Sequence, residues 1–222
     1  MANRKPTRKY HFSVEGETEQ WYLKWLQDVI NTTDVAVCKV SIDCPVNKNP
    51  LKRAKSMTVT GKTEIYHFFD YESSEDIHVK QFYETLDNMK AAEQIGKQIK
   101  YKSGYSNLTF DLWMILHMID CNTFFAHRKN YITPINKAFG EKFENMDEFK
   151  KEANFKRCLG KMQLSNVIDA IQRAKGIMQR NHENGYKLIQ YKGYSFYNEN
   201  PSLQSWEAIE KILIECGLYE NI

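Results

Sequence analysis

The sequence has few cysteines and prolines, no long apolar run and no strong excess of one charge. Its five cysteines form no CxxC pair and no Cys/His set with zinc-finger spacing, so we expect buried, reduced thiols. The longest apolar stretch, Leu112 to Ile119, falls far short of the roughly 18 residues of a membrane span. The start, MANRKPTRKYHF, lacks the apolar segment of a signal peptide, so we expect a cytoplasmic protein with no membrane partner.

What is present is enough for a sizeable core: 222 residues, of which 42% are hydrophobic and 27% charged. The net charge of +3 is unevenly distributed along the chain. Residues 1–63 carry +5, residues 64–121 carry −5, and the remainder carries +3. A basic flank beside an acidic middle suits a site in which carboxylates hold a cation and basic residues hold phosphates. Segregation this mild also occurs in proteins with no such role.

The order of strands and helices predicts an α/β fold with a mainly parallel sheet. Strands are predicted at residues 9–14, 35–42, 64–69 and 98–102, the last followed by a turn at Ser103-Gly104. Helices are predicted at residues 17–30, 51–57, 77–89, from 108, and around 131–138, 147–158, 164–180 and 202–216, with Asn200-Pro201-Ser202 as a helix start. We expect an α/β core over residues 1–120 and a helical extension over residues 121–222, packed together as one compact unit.

Acidic residues follow two of the predicted strands. Glu15 stands where the first strand ends, and Asp70 and Glu72 stand where the third ends. In an open parallel sheet, functional groups collect beyond the carboxyl ends of the strands. Gly16 permits a tight turn after Glu15, and the D-x-E spacing lets Asp70 and Glu72 face one cation together. Such oxygen ligands suit Mg²⁺ or Mn²⁺, which can assist cleavage of a phosphodiester, although acidic residues after strands also serve as helix caps.

Four blocks of the sequence, in order from residue 10 to about residue 214, resemble those of the RloB family. They are HFSVEGETEQWYL, FFDYE, SNLTFDLWMILHM and NPSLQSWEAIEKIL. The family patterns are E-G-x-T-E after a strand, D-x-D, S-N-P-x-F-E-x-W followed by a His, and N-P-S-T before an amphipathic helix. Together the blocks cover nearly the whole chain.

The resemblance implies a Toprim-like fold, related to topoisomerase-primase domains and to the OLD nucleases. In that fold a glutamate after the first strand is the general acid or base, which is Glu15 here. The D-x-D carboxylates hold the metal, which makes Asp70 and Glu72 the expected ligands of Mg²⁺ or Mn²⁺. Glu19 and Asp111 match further acidic positions and are expected to orient ligands or to bind a second cation. Family members are often encoded beside an ATPase and are associated with defence against phage.

The chain departs from the family pattern at three places. Glu72 replaces the second Asp, Asp111 replaces Glu, and Leu108 replaces Pro. The negative charges survive these changes, but the geometry of the acidic cluster is open to change. Asp76 is the substitute ligand if Glu72 points away.

Several other residues are candidates for contact with a nucleic acid. The basic candidates for backbone binding are Lys48, Lys52, Arg53, Lys55 and Lys62; solvated surface loops are the alternative. Ser106 and Asn107 either cap the following helix or meet a phosphate. His117 lies on an apolar helical face and is expected to be a hydrogen-bonded core residue. Gly61-Lys62-Thr63 resembles the end of a P-loop, but a strand follows it, so nucleotide binding is rejected there.

Two functions follow from these observations. The first is a metal-dependent nuclease that acts on DNA or RNA. The second is a non-catalytic effector or sensor subunit that works with a partner ATPase, and it is motivated by the altered second and third blocks. A homo-oligomer is compatible with either function.

Overall fold

The first half of the chain alternates strands and helices, as the sequence predicts. The structure is a computed structural model that describes residues 5–220. The strands are β1 (Thr7–Val14), β2 (Lys39–Asp43), β3 (Thr63–Tyr71) and β4 (Ile99–Asn107). The helices between them are α1 (Glu17–Thr32), α2 (Pro50–Ser56) and α3 (Asp76–Ala92).

These strands form a sheet whose carboxyl ends share one edge. The order within residues 5–220 is β2-β1-β3-β4-β7, where β7 is Ser202–Leu203. The first four strands are parallel, and only β7 runs antiparallel, against β4. The predicted α/β class with a mainly parallel sheet is therefore confirmed. Val14 pairs with Phe68, so the chain beyond β1 emerges beside the end of β3.

The second half of the chain is mainly helical and packs on the first. Its elements are α4 (Asp111–Leu116), a 3₁₀ turn (Arg128–Tyr131), α5 (Ile132–Phe139), α6 (Met146–Phe149), α7 (Glu152–Leu159), α8 (Leu164–Glu183), the hairpin β5 (Ile189–Tyr191) and β6 (Tyr194–Phe196), and α9 (Ser205–Glu215). One buried apolar cluster joins Phe12 of β1 and Leu26 of α1 to Phe155, Ile171 and Leu213 of these later helices. The two halves therefore share a core. No helix between residues 5 and 220 is long and apolar enough to cross a bilayer.

The strand predicted at residues 35–42 begins only at Lys39. Its partner β1 starts at Thr7, which pairs with Lys39, so the residues before Lys39 have no neighbouring strand to pair with among residues 5–220. Val35 and Val37 are exposed, and the Val37 N–H donates to the Cys216 carbonyl instead. The β-branched residues predict the strand but not its start, which depends on pairing with β1.

The turn predicted at Ser103-Gly104 does not form. The strand continues to Asn107 because β3 extends to Tyr71 and pairs with every residue of β4. Gly104 is needed for close packing: a Cβ there would lie 2.4 Å from Cδ1 of Phe68. Its role is the close approach of a neighbour, not a turn.

Two helix predictions in the second half were also wrong in detail. Asn200-Pro201-Ser202 does not start a helix, because Ser202 and Leu203 pair with β4 and the helix begins at Ser205. The helix predicted at residues 147–158 is divided into α6 and α7, with Lys150 and Lys151 between them. All five cysteines are buried and free, as expected.

Candidate functional site

The structure brings Glu15 and Asp70 together at the carboxyl edge of the sheet. Glu15 follows β1 directly, and its N–H donates to the Phe68 carbonyl of β3. This contact turns the side chain toward the end of β3, where Glu15 Oε2 accepts a hydrogen bond from the Asp70 N–H at 3.3 Å. Two residues 55 positions apart thus meet because parallel strands end at the same edge.

Glu19 joins them from the first turn of α1. It is buried, and its Oε2 accepts a hydrogen bond from Thr18 Oγ1 at 2.9 Å. A Cβ on Gly16 would lie 2.8 Å from the same Oε2. The glycine of the E-G-x-T-E block therefore leaves the room that the Glu19 carboxylate occupies.

Asp111 and Lys150 complete the cluster from the later part of the chain. Asp111 begins α4, is 1% exposed, and accepts from Thr109 Oγ1 at 2.8 Å. Lys150, between α6 and α7, places its Nζ 3.0 Å from Asp111 Oδ2. Lys150 was missed by the sequence reasoning, because a lysine in a predicted continuous helix is typical of a solvated face.

These groups surround an open cleft of about 250 Å³. The lining residues are Glu15, Gly16, Glu17, Thr18, Glu19, Trp21, Lys48, Asp70, Glu72 and Lys150. Lys150 also lines an adjoining cavity of about 360 Å³, together with Asp111, His127, Arg128 and Lys129. The acidic side chains of the cleft are therefore bordered by basic side chains.

Burial and repulsion between neighbouring carboxylates raise the pKa values of three carboxyl groups in the cleft, those of Glu15, Glu19 and Asp70. Burial raises the pKa of Glu15 to about 7, against the opposing effect of the hydrogen bond from the Asp70 N–H. Burial, followed by the neighbouring Glu19 and Glu15, raises the pKa of Asp70 well above its ordinary value. Burial also raises the pKa of Glu19. Crowded carboxylates of this kind are stabilised in the ionised form by a cation.

The Lys150 ammonium interacts with several of these carboxyl groups. Attraction to Asp111, and then to Asp70 and Glu19, raises the pKa of its ammonium despite partial burial. Lys150 therefore remains charged at neutral pH and offsets one of the negative charges. The ammonium does not satisfy every oxygen, because Asp70 Oδ1 and Asp111 Oδ1 are buried without a hydrogen-bond partner among residues 5–220.

The donor set fits a hard divalent cation in its chemistry, although a ready-made cage is absent. Within residues 5–220 no group of three or more His, Cys, Asp or Glu side chains is arranged to hold a metal ion. Mg²⁺ does not need such a cage, because it keeps several waters and uses one or two carboxylates. Asp70 Oδ1 and Asp111 Oδ1 have no hydrogen-bond partner among residues 5–220, so these two oxygens are available as metal ligands.

Glu72 lines the cleft but is engaged on its outer side by Arg128 and His78. Its Oε2 lies 3.2 Å from an Arg128 guanidinium nitrogen and 3.4 Å from His78 Nε2. Asp76, the alternative ligand, is exposed at the start of α3 and outside the cleft lining. Asp70 is therefore the better placed of the two carboxylates in the D-x-E block.

Of the five basic candidates, only Lys48 lines the cleft. Arg53 forms an ion pair with Asp43, and Lys52 and Lys55 lie exposed on α2. Lys62 precedes β3 and lines a cavity at the opposite, amino end of the sheet. Lys62 lies eight positions before Asp70, a distance of roughly 26 Å along an extended strand. Lys62 therefore lies outside the cleft, and its contact with a nucleic-acid backbone stays a prediction.

Ser106 and Asn107 are buried in β4 and neither cap a helix nor face the cleft. Asn107 Nδ2 donates to the carbonyls of residues 197, 198 and 199, which holds the chain that leads into β7. The structure therefore contradicts the helix cap for Asn107, and its contact with a phosphate stays a prediction. His117 is a core residue as predicted: its Nε2 lies 3.2 Å from Tyr22 Oη, and its Nδ1 lies 2.8 Å from the Trp113 carbonyl oxygen.

Comparison with known proteins adds one finding. A family model described as RloB-like protein matches residues 12–212 of the chain. No curated protein and no solved structure matches the chain. The matched range contains the residues of the cleft described above, including Lys150.

Proposed function

Because the chain belongs to the RloB-like protein family, we propose that it is a Mg²⁺- or Mn²⁺-dependent nuclease that cleaves DNA or RNA in defence against phage. The observation that carries the proposal is the hydrogen bond of 3.3 Å from the Asp70 N–H to Glu15 Oε2, together with a Glu15 pKa near 7 and unpartnered oxygens on Asp70 and Asp111. A carboxyl group poised near neutral pH is suited to move a proton in either direction. The cleft is also open enough for a phosphodiester to enter.

The unpartnered oxygens of Asp70 and Asp111 would be the protein ligands of the divalent ion. When bound, that ion would neutralise charge on the phosphate and lower the pKa of an attacking water. Glu15 would accept the proton of this water at its Oε1 or Oε2 and later return it to the leaving oxygen. Lys48 and Arg128, at the border of the cleft, would contact the backbone phosphates on either side of the scissile bond.

The test is cleavage by the purified protein of plasmid DNA, tRNA and messenger RNA in EDTA, Mg²⁺ or Mn²⁺. We expect metal-dependent cleavage of at least one substrate. Glu15→Ala and Asp70→Ala should each reduce the rate at least about 100-fold, the scale of general acid–base catalysis. Glu75→Ala, at an exposed position without a side-chain cap hydrogen bond, is the matched control. Metal-dependent cleavage that survives both substitutions would refute the site assignment.

A second function is favoured by one specific observation. Glu72 is already engaged by Arg128 and His78, and Lys150 already lies among the remaining carboxylates. This charge balance is also suited to a protein that acts without a metal, as an effector or sensor subunit of a partner ATPase. Phage protection that persists in a Glu15→Ala/Asp70→Ala double variant would favour this function over the nuclease. Loss of protection in a folded double variant would favour the nuclease.

A further inference from the structure

The placement of Lys150 fixes a positive charge inside the acidic cleft. Lys150 lies in the break between α6 and α7, where its N–H donates to the Met146 carbonyl. The preceding residue, Phe149, is fully buried between the rings of Phe143 and Phe155, at centroid distances of 5.7 and 5.3 Å. This packing anchors the backbone, so the ammonium is directed at Asp111 rather than left on a free surface chain.

The charges in the buried part of the cleft sum to a value that one divalent ion matches. Glu19, Asp70 and Asp111 bring three negative charges, and Lys150 brings one positive charge. Glu15 is the proton-transfer group, and Glu72 is paired with Arg128 on the outer side. The remaining charge of about −2 equals that of a single Mg²⁺ or Mn²⁺ with opposite sign. A second divalent ion would leave an excess of positive charge in a partly desolvated site.

We propose that the Lys150 ammonium stands in the position of a second metal ion, so that the cleft binds one divalent cation per chain. This inference rests on the proposed function, because it concerns the same site. Two-metal phosphodiester sites hold their ions about 3.5–4 Å apart on shared carboxylates. The Lys150 Nζ, 3.0 Å from Asp111 Oδ2, already occupies one side of such a carboxylate and donates up to three hydrogen bonds. Asp111 Oδ1 and Asp70 Oδ1 remain free among residues 5–220 for the one ion.

The experiment counts Mn²⁺ ions bound to the intact protein by equilibrium dialysis with elemental analysis, and by electron paramagnetic resonance of the bound ions. We expect one Mn²⁺ per wild-type chain. Lys150→Met, which keeps the length of the side chain and removes its charge, should bind two ions and show the spectrum of a spin-coupled pair. Lys150→Arg should return the count to one. Lys151→Met, the neighbouring exposed lysine, is the matched control and should bind one.

The outcomes separate the two proposals. No bound Mn²⁺ in the wild-type chain, up to millimolar concentration, would overturn the proposed function itself. Two ions per wild-type chain would overturn the role of Lys150 while leaving a metal-dependent nuclease in place. One ion in both wild type and a folded Lys150→Met variant, as judged by circular dichroism, would also overturn it. If Lys150→Met does not fold, Lys150→Gln replaces it and the same count decides.

Discussion

Burial of the Glu15 carboxylate destabilises the folded protein, and the raised pKa of this group reflects that effect. Burial raises that pKa to about 7, from an ordinary value near 4.5. An acid whose pKa is raised in the folded state binds its proton more tightly there than in the unfolded chain. The free energy of unfolding therefore falls as pH rises from about 4.5 to about 7, and the penalty is complete above pH 7. A shift of this size corresponds to about 3 kcal/mol.

Glu15→Gln should remove this penalty. We expect the variant to be more stable than wild type by about 3 kcal/mol at pH 8, and equal to it near pH 4, because the wild-type group is then protonated in both states. The glutamine oxygen can still accept from the Asp70 N–H. Urea unfolding at both pH values measures the difference, and Glu17→Gln, exposed on the next turn, should leave stability nearly unchanged. A gain that is the same at pH 4 and pH 8 would contradict the assignment of the pKa.

Among the cleft residues, the strand pattern alone was informative for the side chains that follow their own strand. Glu15 and Asp70 could be placed because their position depends on the end of a strand, which the local pattern reveals. Lys150 and Arg128 could not, since their contact with the cleft depends on how distant helices pack. Asn107 was misplaced for a related reason: its partners lie about 90 residues further along the chain.

Among the elements, helices were predicted more reliably than strand ends. The periodicity of α1, α3 and α8 is a property of each segment alone. The length of β4, in contrast, is set by β3, which pairs with it over nine residues. Ser103-Gly104 has the composition of a turn, yet the neighbouring strand overrides that local preference. The two-residue strand β7 has no pattern long enough to recognise.

Gly104→Ala tests the packing of β4 against β3. The new methyl group would lie 2.4 Å from Phe68 Cδ1 and 3.1 Å from the His67 carbonyl oxygen, and the backbone atom cannot move away cheaply. We expect a loss of about 2 kcal/mol in the free energy of unfolding, typical of overpacking in a core. Gly61→Ala is the control, because no atom of the described chain lies within 4 Å of its added Cβ. Equal urea midpoints for the two variants would refute this account.

In the whole molecule, the sheet and the later helices depend on one another. Strand β7 covers the end of β4, and the main apolar cluster includes residues from β1 through α9. The cleft is also built from both halves, because most of its carboxylates come from the first half and Lys150 comes from the second. A boundary at residue 120 therefore describes the change in composition better than it describes a unit of folding.

We expect residues 1–120 alone to lack a cooperative unfolding transition, because they lose the helices that bury Trp113 and Leu112. The full chain should unfold in a single step, so that tryptophan fluorescence and far-ultraviolet circular dichroism give the same urea midpoint. Trp21, Trp25 and Trp113 lie within residues 1–120, and Trp206 lies within residues 121–222. A fragment with a sharp transition of its own would show that the halves fold separately.

The amino end of the sheet offers an opportunity of a practical kind. Gly61 lies in the connection that enters β3, and an added Cβ there meets nothing within 4 Å in the described chain. This connection is a full strand length from Glu15 and Asp70. A fluorescent dye or an affinity tag attached there would report on the protein, or immobilise it on a surface, without obstructing the acidic cleft.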